Sequence, residues 1–279
     1  MFEPSEFISV LFYVVFGFCI GSFLNVIIYR LPIMLSISRA VSTSKVSYSI
    51  TEHCLFKSGF NLCFPKSFCP SCFHPLPLRY NIPLFGWFFL RGISQCCGKK
   101  INSRYIIVEI LTAILTLAVG VTYQDYFIIA ASLLLIWSLI VLTFIDLDCY
   151  LLPDNITLPL LWVGLLVNIN DVFSPLHLSV LGAVVGYIFL WFPYWTFKFF
   201  KGIVGMGHGD FKLMAMLGAW FGVTAIPFLV LLSSCFGVVS YIIIYYCLNK
   251  RLKYIAFGPY IALAGVIYLF FGEEVNYLF

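Results

Sequence analysis

Eight long stretches almost free of charge run through this chain, at residues 7–28, 105–121, 127–145, 156–169, 178–197, 211–223, 226–248 and 255–271. A helix needs about 20 apolar residues to cross a ~30 Å hydrocarbon core. The runs therefore predict about eight transmembrane helices, with 156–169 and 211–223 the shortest. Helices are the form in which such runs satisfy their own backbone groups inside lipid. Composition agrees: 62 % hydrophobic and 10 % charged residues, with a mean hydropathy of +1.02, leave too little polar surface to cover a soluble domain of 279 residues. The first run is not a cleavable signal peptide, because Glu3 and Glu6 precede it where a basic region would stand. The expected fold class is an all-α polytopic membrane protein.

Basic residues in short loops mark the cytoplasmic side. Ten lysines and arginines fall between Arg30 and Arg104 against one acidic residue, Glu52. Further basic residues are Lys198, Lys201 and Lys212, and then Lys250, Arg251 and Lys253. Eight spans with a cytoplasmic first loop put all of these on one side and send Glu3, Glu6, Asp125, Asp171, Glu273 and Glu274 to the other. Both termini are then periplasmic. The chain divides into a first transmembrane helix (1–29), a cytoplasmic cysteine-containing domain (30–104) and a seven-helix membrane domain (105–279). The basic loop reads as a topogenic signal; it contains no RNA- or DNA-binding motif, so no nucleic-acid partner is expected.

Two carboxylates stand where this topology makes them costly. Span three closes with "TFIDLDCYLLPDN", placing Asp146 at a helix C-terminus, with Asp148 and Asp154 further out. Span six opens with "GMGHGDFK", placing Asp210 at a helix N-terminus on the same side. An ionisable residue in a membrane segment is a functional hypothesis by default. Taken singly, Asp210 also reads as a helix cap and Asp146 as an interfacial residue; at matching ends of spans three and six, the pair reads as a site. Gly202, Gly205, Gly207 and Gly209 are expected to keep the segment before Phe211 from being an ordinary helix. Two carboxylates sharing a site divide one proton between them, so that one activates water while the other polarises a carbonyl. Peptide hydrolysis at the membrane edge is the chemistry this predicts. His208 reads as a residue of a solvated loop and Lys212 as a snorkelling anchor. A secondary transporter is the alternative of another class, although its carboxylates usually lie near the midplane within inverted repeats.

Six segments carry a family resemblance: "GSFLNVIIYRLP" (21–32), "CPSC" (69–72), "RYIIVE" (104–109), "DLDCYLLPD" (146–154), "GMGHGDFKLMAMLGAW" (205–220) and "FGPYIALAG" (257–265). In order and spacing the chain resembles the bacterial type IV prepilin peptidases over nearly its whole length. The resemblance implies cleavage of the short leader from prepilins or pseudopilins, of type IV pili or type II secretion, at the inner membrane. It also implies N-methylation of the new first residue with S-adenosylmethionine, or cleavage alone. The family's catalytic aspartates fall on Asp146, seven residues before Pro153, and on Asp210, in G-x-G-D after Gly207 and Gly209. "GIVGMGHG" is not preceded by a βαβ pattern and is not a nucleotide fingerprint, so the methyl-transfer expectation rests on the resemblance alone.

"CPSC" holds Cys69 and Cys72, and "SQCCGKK" holds Cys96 and Cys97. In a reducing compartment such pairs read as a zinc site. Aligned with the family's second C-x-x-C, Cys97 takes the fourth place and Ser94 the third, and serine is a poor zinc ligand. Cys96 after a local shift, His74, Cys63, Cys54 or His53 completes the set with Cys69, Cys72 and Cys97. Cys149 and the span residues Cys19, Cys235 and Cys247 read as small buried apolar groups.

Overall fold

The computed structural model describes residues 4–43, 60–77, 82–202, 207–248 and 255–276. His53 and Cys54, considered above as ligands, lie outside the described residues, as do Glu3, Gly205, Lys45, Lys57, Arg79, Lys250, Arg251 and Lys253. Among the described residues the regular structure is helical: α1 (Pro4–Thr43), α2 (Phe85–Phe89), α3 (Arg104–Thr122), α4 (Tyr126–Cys149), α5 (Asp154–Val167), α6 (Leu176–Lys201), α7 (His208–Phe221), α8 (Ala225–Leu248) and α9 (Gly258–Asn276). Each apolar run of the sequence coincides with one helix. Among the described residues, five stretches are long and apolar enough to span on their own: Phe7–Ser36, Arg104–Thr122, Tyr126–Cys149, Leu176–Phe200 and Ala225–Cys247. The apolar part of α9, Gly258–Gly272, is shorter. Helices α5 and α7 have 14 residues each, about 21 Å at the helical rise.

The chain forms two compact units, Met1–Asp125 and Tyr126–Phe279. In the first, α1 lies against α3 through glycines. A side chain at Gly17 would come within 2.6 Å of the Ala113 Cα, and one at Gly21 within 2.7 Å of the Glu109 Cα. Spaced as GxxxG, these two let the backbones approach closely enough for packing to replace the missing hydrophobic drive in lipid. Helix α1 outlasts its apolar run, passing through Pro32 to Thr43. On it, Arg30 is buried. Its Nη1 donates to the carbonyls of Asn61 (2.9 Å) and Leu62 (3.2 Å), and its Nη2 to that of Pro65 (2.7 Å). The rings of Phe60 and Phe68 flank the guanidinium. Arg30 therefore anchors the segment leading to the first cysteine pair, a task beyond topogenic charge. On α3, buried Glu109 accepts the Leu84 N–H at 2.8 Å.

In the second unit α7 is the core. Phe211, Leu213, Met214, Met216, Leu217, Ala219 and Trp220 are all fully buried, enclosed by α5, α6, α8 and α9. Helix α6 approaches it through a second GxxxG pair, Gly182 and Gly186. Side chains there would meet the carbonyl oxygens of Gly218 and Met214, and one at Gly218 would meet that of Gly182. At the far end Trp220 donates its indole N–H to Leu160 O at 2.8 Å. Buried Asn168 donates to Ser179 Oγ, Ala219 O and Trp220 O, and accepts the Phe173 N–H. Such fully satisfied polar groups fix one arrangement of α5, α6 and α7.

Large apolar side chains remain exposed along α6 and α8, among them Val184, Ile188, Phe192, Leu231, Val238 and Ile242. In a membrane protein this is the surface offered to lipid. Cys19, Cys149, Cys235 and Cys247 are also exposed, which corrects the expectation that they are buried. Lipid is as apolar as a core, so hydropathy alone does not distinguish the two.

Gly218→Leu is expected to abolish the folded, monodisperse protein in detergent, because the added atoms meet the α6 backbone. Val184→Leu, on the exposed face of α6, is expected to leave it unchanged. Size-exclusion profiles after a temperature series distinguish the two outcomes.

Candidate active site and cysteine cluster

Asp146 lies in the last turn of α4 and Asp210 is the third residue of α7, and both are buried, with 5 % and 6 % exposure. Each meets the N-terminus of a helix. The Gly258 N–H, at the start of α9, donates to Asp146 Oδ2 at 3.1 Å. The Gly207 N–H donates to Asp210 Oδ2 at 3.2 Å. Both carboxylates thus receive orphan donors from the positive end of a helix dipole. The two are within electrostatic range of one another.

Leu152 links them. A side chain at Gly258 would come within 2.6 Å of Asp146 Oδ2 and 3.3 Å of Leu152 Cδ1, and one at Gly209 within 2.7 Å of Leu152 Cβ. Buried Leu152 therefore packs at both glycines, one beside each carboxylate. Glycine is needed at 209 and 258 for close approach. Gly207 is different: its φ of −78° and ψ of 146° are extended backbone open to any residue. Helix α7 starts at His208, so Gly209 and Asp210 are already helical, where the sequence suggests irregular backbone up to Phe211. Asp210 carries out the capping task as well, since its carboxylate holds the N-cap N–H.

Around this pair, Lys212 Nζ binds both oxygens of Asp154, at 2.7 and 2.8 Å, joining α7 to the start of α5. The snorkelling assignment of Lys212 is thereby replaced by an ion pair. Asp148 is exposed. His208 is also exposed, its ring 4.9 Å from that of Tyr194. Gly258 and Leu152 are the residues that sequence reasoning missed. The signal was a Gly-Pro opening the last apolar run, which marks a helix start without naming the acceptor it faces.

The cysteines gather in the first unit. The sulfurs of Cys69, Cys72, Cys96 and Cys97 all lie within 4.8 Å of one another. Cys69 and Cys97 are 3.8 Å apart and Cys72 and Cys96 3.1 Å. Four thiolates about 2.3 Å from a tetrahedral zinc would be about 3.8 Å apart, so the donor set fits that ion in chemistry and in spacing. Burial opposes ionisation of Cys69, but hydrogen bonds from Ser94, the backbone at Ser71 and Cys72, and Cys96 outweigh it and bring that thiol to about 6. The hydrogen bond with Cys96 holds Cys72 up to about 12. Of the alternatives for the ligand that Ser94 does not supply, Cys96 joins the group; Cys63 and His74 are not in it.

The fold and this site define an all-helical membrane protein with two buried carboxylates at helix N-termini and a separate four-cysteine cluster. Residues 15–123 match the bacterial peptidase A24 N-terminal domain, and residues 133–242 match the type IV leader peptidase family. The chain belongs to the type IV leader peptidase family. It is 45 % identical over 274 residues to the prepilin leader peptidase/N-methyltransferase of Aeromonas salmonicida (strain A449), covering 98 % of this chain and 94 % of the relative. It is 46 % identical over 275 residues to the same-named protein of Aeromonas hydrophila, covering 98 % and 93 %. For that of Dichelobacter nodosus the identity is 39 % over 274 residues, covering 98 % and 95 %. No solved structure matches the chain.

Lys212→Met is expected to cost under about 1 kcal/mol of stability, because the ion pair is partly exposed and screened. A thermal-shift series in detergent with Lys212→Met, Asp154→Asn and the double variant measures the coupling.

Proposed function

We propose that this protein removes the leader peptide of prepilins or pseudopilins at the cytoplasmic face of a bacterial inner membrane, with Asp146 and Asp210 as the catalytic pair. It then methylates the new N-terminal residue, with S-adenosylmethionine as the methyl donor. The observation that carries the reading is the burial of two carboxylates, from α4 and α7, beside glycines that pack on one leucine.

Two carboxylates sharing one proton supply both halves of peptide hydrolysis. The ionised one takes a proton from water as the water oxygen attacks the scissile carbonyl. The protonated one donates a hydrogen bond to the carbonyl oxygen, and the tetrahedral intermediate collapses as a proton passes to the leaving amine. Gly258 and Gly207 each hold one oxygen of a carboxylate, leaving the other oxygen of each for water and substrate. Placement of the basic clusters on one side, with both termini periplasmic, brings the pair to the depth at which the apolar segment of a single-helix substrate begins. The division into a first helix (1–29), a cytoplasmic domain (30–104) and a seven-helix domain (105–279) belongs to the same reading.

In the cytoplasmic domain, Cys69, Cys72, Cys96 and Cys97 would hold a zinc ion as a structural staple. Ser94 gave the ground for the cleavage-only alternative, and Cys96 fills the vacant place, so the bifunctional reading is preferred. Among the described residues there is no strand, glycine turn and helix unit of the kind that holds dinucleotides. Methyl transfer rests on the family, and no step is assigned to named residues.

Mass spectrometry of a prepilin co-expressed with this protein tests the pair, since leader loss and methylation change the mass separately. Asp146→Asn and Asp210→Asn are each expected to reduce leader loss by at least about a thousand-fold; full cleavage by both variants would overturn the assignment. Gly258→Ala is expected to lower cleavage by about a hundred-fold, as displacement of Asp146 by a fraction of an ångström spoils the attack geometry, with the folded yield unchanged.

A further inference from the structure

The two cysteine turns follow one plan. In the first, the Cys69 N–H donates to His74 O (2.9 Å), the Phe73 N–H donates to Cys69 O (2.8 Å), and Phe68 pairs with Pro75. In the second, the Ser94 N–H donates to Lys99 O (2.9 Å), the Gly98 N–H donates to Ser94 O (2.8 Å), and Ile93 pairs with Lys100. The residue turning the chain has positive φ in both, 59° at Phe73 and 67° at Gly98. Backbone register therefore equates Cys69 with Ser94 and Cys72 with Cys97. It gives Cys96 no counterpart ligand, since the matching position in the first turn is Ser71.

The side chains depart from that register. Ser94 is buried, with its Oγ 3.1 Å from Cys96 Sγ and 3.5 Å from Cys69 Sγ. Cys96 Sγ completes the group of four. We infer that ligation has moved two residues along the second turn: Cys96 is the fourth metal ligand, and Ser94 has withdrawn behind the ligands, where its single hydroxyl hydrogen serves the nearer thiolate, Cys96, at 3.1 Å, with Cys69 at 3.5 Å. This inference rests on the zinc reading above. A hydroxyl in that place offsets part of the charge that four thiolates put on a dication, and outer partners of this kind are worth about 10- to 100-fold in metal affinity.

Two consequences separate this arrangement from a three-cysteine site. The ligand can be moved back, and the hydroxyl can be removed without removing a ligand. The test uses the full-length protein in detergent, with zinc measured by mass spectrometry after chelator competition and cobalt(II) as a spectroscopic probe of thiolate number. Cys96→Ser is expected to lose about one quarter of the thiolate-to-cobalt charge-transfer intensity, as one of four thiolates is gone, and to release zinc at lower chelator concentration. Adding Ser94→Cys to that variant is expected to restore both. Ser94→Ala is expected to keep the full charge-transfer intensity while zinc affinity falls about 10- to 100-fold.

Unchanged cobalt intensity and zinc affinity in Cys96→Ser would overturn the moved ligand, and unchanged affinity in Ser94→Ala would overturn the role of the hydroxyl. If the wild type bound no more metal than Cys69→Ser, or held a Cys72–Cys96 disulfide instead, the zinc reading itself would fail and the moved ligand with it. Elution volume on size exclusion identifies any variant that fails to fold, and Ser94→Ala, which only removes an oxygen, keeps the question answerable in that case.

Discussion

The contact of α6 with α7 through bare backbone is the constraint on which the second unit depends. Beyond Lys212 near its start, helix α7 is apolar on all sides and too short to span on its own, so its stability rests on enclosure. Enclosure on the α6 side requires the two backbones to touch, which Gly182, Gly186 and Gly218 allow. Lipid gives apolar helices little reason to associate, and the stabilisation comes from close packing and satisfied polar groups. Asn168 and Trp220 supply the latter at one end of α7. Asp210 stands at the other end, at the start of a helix that cannot shift without breaking those contacts.

Around Asp210 the same economy recurs on a smaller scale. Leu152 follows α4 by a few residues and reaches both Gly209 and Gly258, so a single apolar side chain packs against α7, which carries Asp210, and against the start of α9, whose N–H holds Asp146. The pair is buried yet not isolated: each member meets a backbone N–H whose intrahelical partner is missing by position. Both carboxylates are thus held by backbone donors that only a proline would remove, while any side chain at 258 would displace one of them.

The sequence was informative where the physics is local. Apolar run length marked each of the helices α1 and α3–α9, and an aspartate at the end of one run and the start of another marked the site. It was less informative where hydropathy and helicity part company: α1 continues beyond its apolar run because Arg30, buried and bonded to three carbonyls, has its polar needs met within the protein. Exposure of Cys19 and Cys235 was illegible because lipid and core select the same residues. Pairings between distant positions, such as Asp154 with Lys212 and Asp146 with Gly258, leave no trace in a single sequence. The GxxxG spacings at 17–21 and 182–186 were legible in principle, since they need only a helical reading of the run that contains them. In the second cysteine turn, spacing alone left the fourth sulfur open, and only the position of the side chains singled out Cys96.

The bond from Gly258 to Asp146 spans nearly half the chain and joins α4 to the last helix. Its consequence concerns the order of synthesis. A ribosome that has delivered everything through α8 to the membrane has already produced both aspartates, but not the N–H group that orients Asp146. The orienting contact arrives only with the final helix, so a nascent or truncated chain holds an unfinished pair, and the order of the helices itself delays completion of the site until the rest of the membrane unit is in place.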